Sequence, residues 1–224
     1  MSRNNLLLHI HQVQDELLLM GSMVEQATLR SIECLKKKDI EGAKAIYNAD
    51  NVINEKRYAI ENSILILIAT QQPLAHDLRL LAALLEISAE IERMGDYAKG
   101  IAKVVVKLGD VDITLPLREV EEMASLAVDM LHRSLSAFIA EDPLTARKIP
   151  AEDDKVDKLY QQVQKAVILE MTRESKVIDS INLFMWVAHN LERMADRVSN
   201  ICERTVFVAT GELGELEVEK KHLD

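Results

Sequence analysis

Glu92-Arg93-Met94-Gly95-Asp96 returns as Glu192-Arg193-Met194-Ala195-Asp196, an interval of 100 residues in a chain of 224. A segment repeating at close to half the chain length marks a tandem duplication. On an α-helix the Glu and Asp of each copy are four residues apart and share a face, where two like charges repel by about a few tenths of a kcal/mol. Two readings of such a pair stand at this point. One is a multivalent cation, because hard oxygen ligands converging on one spot are how proteins hold such ions. The other is a pair of solvated acids beside the neighbouring Arg.

The duplication reaches well beyond the pentapeptide. At an offset of 103 residues Met20 matches Met123, Ser31 matches Ser134, Asp39 matches Asp142, Ala43 matches Ala146, Asp50 matches Asp153 and Ile53 matches Val156. A three-residue deletion in the second copy then brings the offset to 100. The repeats are assigned to residues 1–109 and 110–212, divided near Gly109-Asp110-Val111-Asp112, and 213–224 form a charged tail with no core pattern, expected to be frayed or loosely attached.

Apolar residues recur at three- and four-residue intervals almost throughout, and no period-two pattern persists long enough for a sheet. Turn chemistry at Lys36-Lys37-Lys38-Asp39, Gln71-Gln72-Pro73, Gly109 to Thr114 and Pro116, Glu141-Asp142-Pro143 and Arg173-Glu174-Ser175 divides the chain into six long helices. They are predicted over 4–37, 40–70, 74–108, 115–140, 143–172 and 176–210, with Asp142 as an N-cap and Pro143 at the first helical position. Three amphipathic helices with short connections pack as an antiparallel bundle, so the fold class is all-α, with two three-helix bundles. An aromatic content of 4% and a hydrophobic content of 48% agree with a helical bundle.

The net charge of −10 and the lack of a basic stripe argue against nucleic acid as a partner, since phosphate binding needs clustered Lys and Arg. Cys34 and Cys202 stand in no ligand spacing and read as reduced, mostly buried thiols of a cytoplasmic protein. Leu6-Leu7-Leu8 is followed by His9 and His11, so no signal-peptide core forms. The longest apolar run, Ile64 to Ala69, is far short of the roughly 20 residues that span a bilayer. No direct membrane insertion is expected, which leaves docking on a membrane protein open.

Heptad-like seams place the acids. Ile87, Ile91, Met94, Ala98 and Ile101 form one stripe, Val187, Leu191, Met194, Val198 and Ile201 the other, and each Glu/Asp pair flanks its seam. The middle helix of each repeat offers a second pair: Asp153 and Asp157 in the second repeat, Asp50 and Asn54 in the first. Two such pairs on adjacent helices converge four oxygen-bearing side chains, enough for one or more divalent or iron ions with water completing the shell. Asn54 lowers the charge of the first site, which is expected to bind more weakly. His189 shares a face with Glu192 and reads either as an additional ligand or as a histidine satisfied at a helix contact.

Other chemistries find little footing. Gly95 and Gly100 match the glycine spacing of a phosphate loop, but Ile101 and Ala102 follow where Lys and Ser or Thr are required. There is no HExxH, no nucleophile elbow and no Glu-x-x-His pair of the di-iron type. Met20, Met23, Met94, Met123, Met130, Met185 and Met194 fall on apolar faces as core filler, and Trp186 reads as core or rim packing.

Glu-Arg-Met-Gly-Asp-Tyr-Ala-Lys-Gly-Ile-Ala at 92–102, Asn-Leu-Glu-Arg-Met-Ala-Asp-Arg-Val-Ser-Asn-Ile at 190–201, Pro73-Leu-Ala-His-Asp-Leu-Arg79 and the ending Thr205-Val-Phe-Val-Ala-Thr-Gly211 together resemble the PhoU family of phosphate-signalling regulators. The similarity runs over nearly the whole chain. It implies two three-helix bundles with multinuclear iron or zinc clusters held on the bundle surface. Carried over position by position, the metal ligands would be Asp50, Glu92 and Asp96 in the first repeat, and Asp153, Asp157, Glu192 and Asp196 in the second. Asn54 departs from the acidic pattern. The resemblance further implies a cytoplasmic, self-associating (dimeric), non-enzymatic adaptor that restrains the phosphate-starvation response. Its implied partners are the ATP-hydrolysing subunit of a phosphate transporter and a membrane sensor histidine kinase. Two other classes stand beside it: a carboxylate-bridged metalloenzyme using the same acids, and a metal-free structural scaffold.

Overall fold

The computed structural model describes residues 3–111, 115–173 and 178–216. In chain order it holds α1 (Arg3–Lys37), α2 (Ile40–Gln71), α3 (His76–Leu108), α4 (Leu117–Ile139), a short α5 (Pro143–Ala146), a single 3-10 turn (Ile149–Glu152), α6 (Asp153–Arg173) and α7 (Ile178–Thr210). No strand occurs among the described residues. The expected divisions at Asp112, Thr114, Glu174 and Ser175 lie outside them.

The duplication is visible in the backbone. Lys38 and Glu141, equivalent residues, both turn left-handed at φ 55° and 50°. The next residue folds back in each case, Asp39 N–H donating to the Cys34 carbonyl and Asp142 N–H to the Ala137 carbonyl, both at 2.9 Å. This returning bond is the usual way a helix satisfies its last carbonyls. Asp39 then caps α2 by accepting from Gly42 N–H at 2.8 Å, and Asp142 caps α5 by accepting from Leu144 and Thr145 N–H at 3.0 and 3.1 Å. One turn-and-cap device therefore joins the first and second helices of both repeats.

Beyond that cap the repeats diverge. A single helix over 143–172 is expected from the sequence, but the chain forms α5, a 3-10 turn and only then α6. Pro150 causes the break: it has no N–H to donate, and its ring collides with the carbonyl four residues earlier in a continuous helix. Its equivalent in the first repeat is Tyr47, and α2 runs through it unbroken. Arg133 on α4 pins the 3-10 turn with a two-pronged bond to Glu152, at 2.8 and 2.9 Å, while its Nε donates to Asp129 at 2.8 Å.

Helices α1, α2 and α3 pack on one another, as do α4, α6 and α7, and the two bundles meet through α3 against α7 and α1 against α4. Every residue of the two predicted seams is fully buried. Arg197 donates to Tyr97 at 2.9 Å and to Glu90 at 2.8 Å, Arg204 pairs with Glu86 at 2.9 Å, and Asn190 lies against Gly100. Partner numbers fall on α7 as they rise on α3, so these helices run antiparallel, and equivalent faces meet. One continuous apolar core results. Met20, Met94, Met123, Met130 and Met194 are buried in it, with Met23 and Met185 at its edge. Cys34 and Cys202 are free and buried.

Trp186 is a rim residue rather than a core one, 54% exposed and edge-on to His189 at 5.7 Å. The start of the tail is attached, because Leu216 packs against the core and its N–H donates to Glu203 at 3.2 Å. Residues 217–224 lie outside the described part.

Candidate metal centre

Burial of the α3 seam leaves Glu92 half-buried and Asp96 exposed on the shoulder facing α2. There Asp50, only 3% exposed, accepts from Lys99 Nζ at 2.7 Å and from Asn54 Nδ2 at 3.2 Å, both on the same oxygen. Its other oxygen, like the Asn54 carbonyl oxygen, is buried with no donor. The Lys99 ammonium also stands 3.7 Å from Asp96 and 5.4 Å from the Tyr47 ring centre. The hydrogen bond to Asp50 holds the lysine above its ordinary pKa. Burial and the neighbouring Asp96 push the Glu92 carboxyl up, with the Arg57 guanidinium opposing.

The second repeat brings together Asp153, Asp157, Glu192 and Asp196 without an equivalent lysine. Asp153 is the first residue of α6, set by the pinned 3-10 turn. Burial and the charges of Asp157, Asp196 and Glu192 push its carboxyl up to about 7. Glu192 is raised by burial and by Asp196. One oxygen of Asp153 and one of Glu192 are buried with no hydrogen-bond partner. The cations nearby are peripheral: Arg193 donates to Asp196 at 3.1 Å, and His189 Nδ1 lies 3.5 Å from Glu192. His189 is held between the Trp186 and Tyr160 rings, with centroid separations of 5.7 and 6.4 Å.

Orphaned buried carboxylate oxygens and mutual repulsion are what a hard cation relieves, so the second-repeat residues fit a metal ion. The first-repeat residues do not, because an ammonium already stands among them. Among the described residues, no group of three or more His, Cys, Asp or Glu is already drawn in around one point. Ion binding therefore requires rotation of exposed carboxylates such as Asp157. A groove of about 860 Å³ between α1 and α2 is lined by residues including Val13, Ile60, Ile66 and Leu67 and holds none of the predicted ligands.

Sequence reading missed Lys99, Arg133 and Pro150. A lysine four residues before Lys103 in a helix looks like any solvated charge; only its counterpart Ser199, by contrast of the repeats, signals a difference.

An internally duplicated, all-helical protein with an acidic face on each repeat is the class these features define. The PhoU domain model matches residues 17–105 and again 120–205. The chain is 33% identical to the phosphate-specific transport system accessory protein PhoU homolog of Streptococcus pneumoniae serotype 4, across 96% of this chain and 99% of that protein. It is 30% identical to the phosphate-specific transport system accessory protein PhoU of Escherichia coli K12, across 91% and 84% of the two. The crystal structure of the phosphate transport system regulatory protein PhoU from S. pneumoniae superimposes with a TM-score of 0.87 at 31% identity, covering 94% of this chain and all of that one. PhoU from Pseudomonas aeruginosa gives 0.85 at 26% identity, covering 91% and 98%. The chain belongs to the PhoU family.

Proposed function

We propose that this protein is a non-enzymatic accessory regulator of a phosphate transport system. It acts in the cytoplasm as an adaptor between the transporter's ATPase subunit and a membrane sensor histidine kinase, restraining the phosphate-starvation response. The observation that carries this reading is the family match over both repeats, with relatives named as transport accessory proteins matched over 99% and 84% of their length. No helix of the described residues is long and apolar enough to cross a membrane, which suits an adaptor that reaches membrane proteins through its helical faces. A homodimer is part of the proposal: Leu7, Leu18 and Leu29 recur every eleven residues along α1, at 38%, 37% and 44% exposed, as an apolar stripe open to a second copy. When bound, iron or zinc supplies fixed positive charge on the α6–α7 shoulder. Asp153, Asp157, Glu192 and Asp196 would hold it.

The test is repression of phosphate-starvation genes in high phosphate in cells lacking the protein. Derepression is expected; unchanged repression would sink the proposal. The near-neutral titration of Asp153 favours one second reading, a carboxylate-bridged hydrolase, since a general acid-base works best near the operating pH. Turnover of phosphate esters by zinc-loaded protein, lost on Glu192→Gln, would mark that enzyme; no turnover leaves the regulator.

A further inference from the structure

We infer that Lys99 is a built-in cation that takes the place of a metal ion in the first repeat, so that the chain carries one metal centre, in the second repeat, instead of one per repeat. The inference rests on the metal reading of the second repeat and narrows it.

Equivalent positions in the two repeats carry it. Asp50 and Asp153 occupy the same repeat position, as do Asn54 and Asp157, Lys99 and Ser199, Tyr47 and Pro150. In the first repeat the Lys99 ammonium bonds the buried Asp50 at 2.7 Å, reaches to 3.7 Å from Asp96 and lies over the face of Tyr47. It therefore touches both helices that a bridging ion would join. Asn54 supplies a further donor to the same Asp50 oxygen at 3.2 Å, where an acid would add charge. Arg57 offsets the negative charge of Glu92, and its counterpart is Tyr160. The first repeat thus sets Lys99 and Arg57 among three acids, whereas the second sets Ser199 and Tyr160 among four.

The Lys99 ammonium sits on one Asp50 oxygen, and its positive charge repels a divalent ion approaching the other, which has no donor of its own. Because Asp50 is 3% exposed, it cannot swing to water to release the lysine. Lysine is also always present, whereas a metal ion depends on supply. The α2–α3 shoulder accordingly keeps one shape at every metal concentration, and any response to metal is confined to α6–α7.

The experiment removes the second site with Glu192→Gln and Asp196→Asn and titrates this full-length protein with zinc, reading bound metal by elemental analysis and melting temperature by circular dichroism. With the first repeat native, no zinc is expected to remain after desalting and the melting temperature should not respond. Adding Lys99→Ser and Asn54→Asp in that background gives the first repeat the four acids of the second and removes its lysine. Zinc should then be retained, and the melting temperature should rise by about 3–8 °C on loading. Stoichiometric zinc in the protein with the native first repeat would overturn the inference, and so would failure of a folded converted repeat to take zinc. Should the converted repeat not fold, the native-repeat titration still decides. If wild type takes no zinc while the converted repeat does, the role of Lys99 stands and the metal reading of the second repeat falls.

Discussion

Two helical triplets descended from one sequence handle the same acids in opposite ways. In the first, the middle helix is unbroken, its aspartate is buried, and a lysine from the third helix neutralises it at 2.7 Å. In the second, Pro150 breaks the chain, the aspartate becomes the first residue of a new helix, and Arg193 bonds Asp196 at 3.1 Å while no lysine stands where Lys99 does. The turns and caps joining the first two helices stayed alike, down to the left-handed Lys38 and Glu141. Backbone devices of this kind tolerate little change because each satisfies several carbonyls and amides at once. Surface charge has no such constraint, so one copy can be internally balanced while the other keeps an open demand for a cation.

The contrast can be broken most forcefully at Lys99. Lys99→Met leaves Asp50 buried without its cation and is expected to lower unfolding stability by about 1–3 kcal/mol, measured by urea denaturation. Ser199→Ala, at the equivalent position, should stay within about 0.5 kcal/mol. Equal effects at both positions would remove the asymmetry. Next in size comes the clamp that sets Asp153. Arg133→Met releases Glu152 and the 3-10 turn and is expected to cost about 1–2 kcal/mol. Arg30→Met, its first-repeat equivalent, should again stay within about 0.5 kcal/mol. The caps sharpen the comparison from the other side: Asp39→Ala and Asp142→Ala should each cost about 1 kcal/mol, alike in the two repeats because the device is shared.

The remaining effect is a dependence on pH in metal-free protein. Asp153 titrates at about 7 folded, against 3.8 as the ordinary value. Its folded pKa is raised, so the folded state holds the proton more tightly and stability declines as pH rises from near 4 through about 7. In chelator the protein should melt higher at pH 5 than at pH 8, and Asp153→Asn should reduce that difference. The two melting curves would decide it.

Most of the helical plan was legible because the 3.5-residue seams of α3 and α7 are long and uninterrupted, and every seam residue is buried as its spacing requires. Asp142 was legible as a cap from Pro143 beside it. The break at Pro150 was obscured by the helical periodicity on either side, from Ala146 to Val156, which a short interruption leaves in phase. Pairing across the sequence was not legible at all. Lys99 with Asp50, Arg133 with Glu152 and Arg197 with Glu90 join residues 49, 19 and 107 positions apart, and single-sequence spacing reports only on neighbours within a turn or two. The predicted ligands were found because they repeat, but the repeat could not show that a lysine stands among one set of them.

Elemental analysis of untagged protein tests the central claim most directly, comparing wild type with Glu192→Gln/Asp196→Asn and with the equivalent Glu92→Gln/Asp96→Asn. Iron or zinc is expected in wild type, with loss in the second-repeat variant and full retention in the first-repeat variant. Equal loss in both, or loss only in the first-repeat variant, would contradict the claim.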